Sequence, residues 1–505
     1  MFRLASDETL DSVKLAEFIE KHRTLKDHRY APLMAAYRTN YPIFAQPPKP
    51  EFKPDKRIAV NFAKYIVDTM NGFFIGIPVK VMSDEEAVSD YVQFLDAYNN
   101  QDDQNAELSK LCDIYGKAYE MYYVDERGNI GITYLSPEDA FMIYDDSIIK
   151  RPRYFVRLYI DADNVLRGSV SDTSTVKYFH VEGVLTFDGE EKLHGFDGVP
   201  AVEYMDNEER MGLFEPVLSM INEYNEAISE KANDVAYFSD AYLKVLGALV
   251  DEESIEQIRA NRIINFPGTY ESGQLDVDFL QKPDGDTSQE HLLDRLERLI
   301  FQISMVADIS DENFGSASGI ALKYKLQAMS DLALTKQNKF IRGMQNRYRL
   351  IFSNPVSGMD KDSWTKITYQ FTQNMPANLL EEAQIAAQLT GIVSQPTQLK
   401  VLSIVDDINQ EIEQIKQEQD EEGYMTDYAT NRTVEDDKVI DSLNETGGVT
   451  EVQGKALNGA QTQSLIAIMS QYSAGELTEG QAVNLISTAI GISKEDARAI
   501  LNGDM

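Results

Sequence analysis

At 505 residues the chain is longer than one hydrophobic core organises, and its 43% hydrophobic content excludes wholesale disorder. No apolar run approaches the ~20 residues of a membrane span; Gly72 to Val79 is typical. A net charge of −36, from 83 acids against 47 bases, excludes a surface built to grip nucleic acid throughout by displacing phosphate counterions.

Three readings of that charge stay open: simple solubility, no nucleic-acid partner, or DNA that must slide past without sticking. The N-terminus, MFRLASDETLD, has no apolar core of a secretory signal, and the lone Cys112 suits a reducing compartment.

In chain order, Leu10, Val13, Leu15, Phe18 and Ile19 fall at helical spacing, and a proline cluster at 46–50 follows as an extended linker. Helices are expected over 60–74, 84–99 and 102–115. From Lys117 the period drops to two, giving strands at 117–124, 130–135, 153–160 and 176–182 in a mainly antiparallel sheet. Residues 213–238 return to helix, with Leu213, Val217, Met220, Ile221, Tyr224, Ile228 and Val235 in one stripe.

A small β-α-β-β insert comes next, with strands at 242–246, 262–266 and 275–281 and a helix from Glu252. It is closed by Pro283-Asp284-Gly285-Asp286. A helix is expected over 288–306, then a glycine- and serine-rich loop, then one long helix from Ile320 to Phe352 in which Gly343 is a candidate bend. The alternation Ile367, Tyr369, Phe371 reads as a strand returning to the earlier sheet. Helices follow at 379–389 and 399–419. The acidic stretch 420–450 reads as flexible, and helices close the chain at 461–472, 478–489 and 493–502. The fold class is α+β, multi-domain and predominantly helical.

Catalytic signatures are missing. Five scattered histidines have no metal-ligand spacing, there is no phosphate-cradling glycine loop, and Gly315-Ser316-Ala317-Ser318-Gly319 has alanine where a nucleophile elbow needs serine. Asp161-Ala162-Asp163-Asn164 starts like a calcium loop but lacks the later glycine and glutamate, and reads as a polar turn. No enzyme activity, cofactor or metal is expected. The long helix is unusual in carrying Lys323, Lys325, Lys336, Lys339, Arg342, Arg347 and Arg349 with only Asp331 as a nearby acid. That scarcity points its charge at a neighbouring subunit or at DNA phosphates.

Four stretches, in this order and spacing, resemble the portal proteins of long-tailed phages of Gram-positive bacteria. They are Asn61 to Asp68 running on to Gly72–Val79, Ser318-Gly319-Ile320-Ala321-Leu322-Lys323, Gln388 to Ser394 followed by Thr397-Gln398-Leu399, and Leu457-Asn458-Gly459-Ala460-Gln461. The resemblance implies a wing at 1–205 with a return segment at 355–385, and stem helices at 213–241 and 287–307 around a clip at 242–286. It also implies a tunnel loop at 308–319, a long wing helix at 320–353 and a crown at 386–505.

By the same resemblance, copies of the chain form a ring, dodecameric in the capsid, with an axial channel through which double-stranded DNA is packaged and ejected. Asp308, Ser310, Asp311, Glu312, Asn313, Phe314, Gly315 and Ser316 would then face the channel. Lys323, Lys325, Lys336, Lys339 and Arg342 would sit between subunits or toward DNA. Implied partners are the terminase large subunit, an adaptor or head-completion protein, and the major capsid and scaffolding proteins, with no membrane. The implied location is the virion's portal vertex, assembled in the host cytoplasm. The rival reading is an acidic scaffold or DNA mimic that binds basic partners.

Overall fold

The computed structural model describes residues 1–50, 53–238, 243–246, 263–266, 276–279, 286–309, 322, 324–374, 379–402, 404, 405, 408, 411–417, 468, 472, 478–490 and 493–502. They belong to two compact units, Met1–Leu389 with Val401–Ser403, and Thr390–Lys400 with Ile404–Met505.

In the first unit a short strand β1 (Phe2–Arg3) precedes α1 (Ser12–Leu25), which Asp11 caps by accepting the Lys14 N–H at 2.8 Å. A π turn, Lys26–Tyr30, carries the chain into α2 (Ala31–Tyr37). Then α3 (Phe62–Ile75), capped by Asn61, runs through the middle of the largest core, with Ile66, Val67 and Met70 fully buried. After β2 (Lys80–Ser83), α4 (Glu86–Asn99) and α5 (Gln101–Tyr115) are joined at Asn100, which turns left-handed at φ 50°. Gly116 ends α5 at φ +81°, and a Cβ there would sit 2.2 Å from the Arg210 backbone, so only glycine fits.

Eight strands follow: β3 (Lys117–Val124), β4 (Ile130–Leu135), β5 (Ala140–Tyr144), β6 (Pro152–Ile160), β7 (Leu166–Ser171), β8 (Thr175–Glu182), β9 (Val184–Leu193) and β10 (Ala201–Met205). They make two sheets where the sequence suggested one. The larger has order β1-β5-β6-β7-β8-β9, antiparallel except for β1 beside β5. Leu15, Phe18 and Ile19 of α1 cover its apolar face at Phe141, Ile143, Val156 and Phe179. The smaller, β10-β3-β4, sets Ala118, Tyr122 and Tyr204 into the main core.

Next comes α6 (Leu218–Phe238), then β11 (Leu243–Leu246), β12 (Ile263–Phe266) and β13 (Asp276–Phe279), a three-stranded sheet of order β12-β11-β13. The strands fall inside the three segments expected from alternation; the helix expected from Glu252 lies outside the described residues. They are followed by α7 (Asp286–Ser304) and α8 (Gln327–Ser353). Among the described residues of the expected long helix, Leu322, Tyr324 and Lys325 are helical, buried Leu326 forms a turn at φ −88°, ψ −2°, and the 27 residues of α8, about 40 Å, follow.

The strand at 367–371 is β14 (Ile367–Gln370). It does not rejoin either large sheet; it pairs antiparallel with β2, Ile367 opposite Ser83 and Gln370 opposite Lys80. The first unit ends with α9 (Leu379–Gln388).

In the second unit α10 (Gln395–Leu399) starts earlier than the helix expected over 399–419, because Pro396 favours the first helical turn; Lys400 to Leu402 are not helical, and 411–417 are. At the end of the chain α11 (Glu479–Ile490) and α12 (Lys494–Asn502) bury Val483, Ile486 and Ala497 together. The segment 420–450 and most of 461–472 lie outside the described residues.

Candidate functional site

The apolar stripe of α6 is covered within the chain. Val217 and Ile221 are fully buried and Tyr224 nearly so, against Phe62 of α3, whose ring meets the Tyr224 ring edge-on at 4.9 Å. Leu293 and Ile300 of α7 close the same core. Only Val235, 58% exposed, departs from the expected inward stripe. These stripes are covered within one copy, so their amphipathicity does not call for a neighbouring one.

A second pattern on α6 escaped the periodicity argument. Asn225, Ser229 and Asn233, one helical turn apart, are buried and act as a rack for the extended segment 56–60. The Asn225 side-chain oxygen accepts the Val60 N–H at 2.7 Å. Ser229 Oγ accepts the Ile58 N–H at 2.9 Å and donates to the Ile58 carbonyl at 3.0 Å. Asn233 does the same for Lys56, at 2.6 and 3.1 Å. Two extended residues rise about 6.6 Å and four helical residues about 6 Å, so alternate residues of the strap meet successive turns. The spacing N-x₃-S-x₃-N was visible in the sequence; its partner was not.

Of the expected tunnel loop, Asp308 and Ile309 are described, while Ser310, Asp311, Glu312, Asn313, Phe314, Gly315 and Ser316 lie outside the described residues. Tyr65 of α3 anchors the loop's start: its hydroxyl donates to Asp308 at 3.3 Å and accepts the Ile309 N–H at 2.8 Å. Glu297, half-buried nearby, is held above the usual carboxylate range by burial and then by Asp308 and Asp294.

The basic helix divides. Lys323 lies outside the described residues and Lys325 is exposed. Lys336 is the clearest correction: it is 1% exposed, and its Nζ meets Asp113 Oδ1 at 2.5 Å, the Ser109 carbonyl at 3.3 Å and Asp206 at 3.6 Å. Arg347 is buried too, with Nε and Nη2 on the two Glu120 oxygens at 2.8 and 2.7 Å, and Nη2 also on Asn105 at 2.7 Å. Lys339 pairs with Glu208. These three charges answer acids of their own chain: Asp113 on α5, Glu120 on β3, and Asp206 and Glu208 just past β10. Arg342 and Arg349 remain exposed, without an ion pair among the described residues.

Asp113 and Asp206 share the one Lys336 ammonium in a fully buried site. Burial and their mutual repulsion push the pair upward, so it retains a proton beyond the usual carboxylate range. Beneath it Lys117 and Arg210 flank Glu203, with Arg210 Nη2 at 2.7 Å; Glu203 stays ionised because these cations outweigh its burial. The Lys336 cluster braces α8 against α5 and the end of β10, and the Glu203 cluster ties β10 to β3 and to the loop at Arg210. Asp161, suspected of opening a calcium loop, instead accepts the Asp163 and Val165 N–H groups, each at 2.9 Å, as a turn between β6 and β7.

Two cavities open on the first unit. One of about 270 Å³ lies among Asp68, Gly72, Phe73, Ile309, Leu326 and Met329. The other, about 260 Å³, lies between α2 and the start of α6, lined by Pro32, Ala35, Tyr41, Ala45, Leu218 and Asn222. Both are largely apolar and neither gathers a catalytic group. Among the described residues no cluster of three or more His, Cys, Asp or Glu could hold a metal, and no helix is long and apolar enough to cross a membrane.

The family model described as "Phage portal protein, SPP1 Gp6-like" matches residues 16–424. The portal protein of Bacillus phage SPP1 is 23% identical over 480 residues, covering 88% of this chain and 94% of its own. That of Clostridium phage phiCD119 is 23% identical over 388 residues, covering 70% and 83%. Among solved structures, the neck of an empty GTA particle computed with C6 symmetry is similar at a TM-score of 0.36 and 12% identity, covering 67% of this chain and 89% of that one.

Proposed function

This chain belongs to the SPP1 Gp6-like family of phage portal proteins, structural components of the virion's head–tail connector, and from that membership we propose that it forms a portal ring whose axial channel carries double-stranded DNA. The match over residues 16–424 carries the reading. In it α6 and α7 are the stem, the β12-β11-β13 insert is the clip, residues 1–205 with 355–385 are the wing, 320–353 the long wing helix, and 386–505 the crown.

The charge of the chain supports a channel made for passage. Phosphates repelled by acidic walls form no deep bound state, so an external motor meets little resistance. The loop at 308–319, anchored by Tyr65, is the proposed moving contact, with Asp308, Asp311 and Glu312 facing the duplex. The terminase large subunit, with the ATP-driven motor, would dock on the clip and later give way to an adaptor. The capsid and scaffolding proteins would meet the wing and crown during assembly in the host cytoplasm.

Negative-stain imaging of the purified chain tests the reading. Rings with a central hole are expected. A field of compact single particles at every concentration would favour the acidic scaffold and remove the portal ring.

A further inference from the structure

The turn between β5 and β6 is built to hold two isoleucines out in solvent. Ile148 is 99% exposed and Ile149 69%, and Ile148 is the most exposed large apolar side chain among the described residues. Hydrogen bonds pin the turn on both sides. Asp145 Oδ1 accepts the Ser147 N–H at 3.2 Å, the Ser147 hydroxyl at 2.7 Å and the Arg151 N–H at 2.8 Å, and the Asp145 N–H donates to the Arg151 carbonyl at 2.9 Å. Asp146 Oδ1 accepts the Ser6 hydroxyl at 2.6 Å and the Ser6 N–H at 3.1 Å. Within this frame Lys150 is held left-handed at φ 54°, a conformation costly for a side chain with a Cβ and kept only where the surroundings fix it. Lys150 and Arg151 are exposed and have no ion pair among the described residues. The turn is thus a fixed apolar knob followed by two unanswered cations.

Helix α4 carries a surface of the complementary kind. Its buried side is Val88, Val92 and Leu95. About 100° round from Leu95, the Phe94 ring stacks on Tyr91 at 6.2 Å and on Tyr98 at 5.5 Å. Phe94 is 45% exposed and Tyr98 37%, the Tyr98 hydroxyl being tied to Asp125. At 100° per residue, Asp90 stands about 40° and Glu86 about 80° from Phe94, on the side away from the core. Both are exposed and have no ion pair among the described residues. The helix therefore offers an aromatic shelf edged by two free carboxylates.

Knob and shelf belong to the first unit and do not meet within one copy, since both stay open to solvent. Their chemistry matches: apolar side chains bury well on aromatic rings, two cations answer two carboxylates, and lysine and arginine also favour an aromatic face. We propose that the knob of one copy seats on the α4 shelf of the next, Ile148 and Ile149 against Phe94 and Tyr98, with Lys150 and Arg151 beside Glu86 and Asp90. Knob and shelf are different surfaces of one chain, so the contact is head-to-tail, and it makes a ring where its rotation closes. The inference rests on the portal reading and names a surface through which neighbouring subunits hold each other.

Disulfide trapping in the full-length chain tests it, because the one native cysteine, Cys112, is buried. Ile149→Cys/Phe94→Cys, mildly oxidised and run on a non-reducing gel, is expected to give a ladder of linked species that climbs past the dimer, and neither single variant should. Linked dimers with nothing larger would show a two-fold pair and overturn the ring contact. Rings seen by negative stain without linkage overturn the inference but leave the ring standing, whereas a wild-type chain that never assembles overturns both. If a cysteine lowers the monomer melt, Ile148→Ser/Ile149→Ser decides, since these side chains are already largely in solvent. That variant should melt as the wild-type monomer does and raise the concentration for half-assembly, read by mass photometry, at least about tenfold, equivalent to ~1.4 kcal/mol. Assembly at the wild-type concentration would overturn the proposal.

Discussion

Asp113→Asn is the sharpest test of the brace under the long helix. In the wild type two buried carboxylates face one ammonium, so the folded cluster reaches neutrality only by keeping a proton, while the unfolded chain releases it near the ordinary value of 3.8. A folded pKa raised above the unfolded one gives stability that is full below the unfolded value and is lost as pH rises toward the folded one. One retained proton costs about 1.4 kcal/mol per pH unit across that window. With asparagine at 113, Asp206 alone balances Lys336, and the amide N–H takes the place of the shared proton. From pH 5 to pH 7 the variant should therefore gain stability relative to the wild type, because it no longer holds a proton that the unfolded chain releases. Paired calorimetric melts at several pH values measure the difference, contributions from the rest of the chain cancelling. Parallel wild-type and variant curves from pH 5 to pH 7 would refute the shared proton.

Three further outcomes follow from the same geometry. Gly343→Ala sets a Cβ 2.4 Å from the Tyr204 ring, so overpacking should cost about 1–3 kcal/mol in a denaturant melt. Ser229→Ala orphans both the N–H and the carbonyl of Ile58, a loss of about 1–3 kcal/mol, and should speed proteolytic cutting near residues 50–58 without altering the far sheet. Deleting 310–317 should leave assembled rings that package DNA poorly, scored by imaging and by a packaging assay; normal packaging would remove the loop from the channel.

What the sequence disclosed, and what it hid, divides along the range of the interactions. Helices α3 to α7 were readable because their apolar period is local. The missed strands lack that period: β7 is LRGSVS, with Ser169 and Ser171 buried, and β9 runs out through DGEEKL on an exposed edge. Lys336 and Arg347 misled for a related reason. Counting acids near them along the helix found only Asp331, whereas their counterions are Asp113 and Glu120, 223 and 227 positions away. Gly343 looked like a hinge and is a notch for Tyr204. The family likeness needed none of this, since it lay in stretches of sequence and their order.

The burial of those cations sets them apart from the exposed ones. In a chain with 36 more acids than bases, an exposed arginine would ordinarily find a carboxylate within reach. Lys336, Arg347 and Arg210 did so, and their pairs brace the interior of the first unit. Arg295 and Arg298 did not, among the described residues, although Glu223 stands on the same outer face of the α6–α7 pair as Arg298. An exposed pair of that kind is worth at most ~1 kcal/mol and is screened by salt, whereas the buried pairs are screened far less.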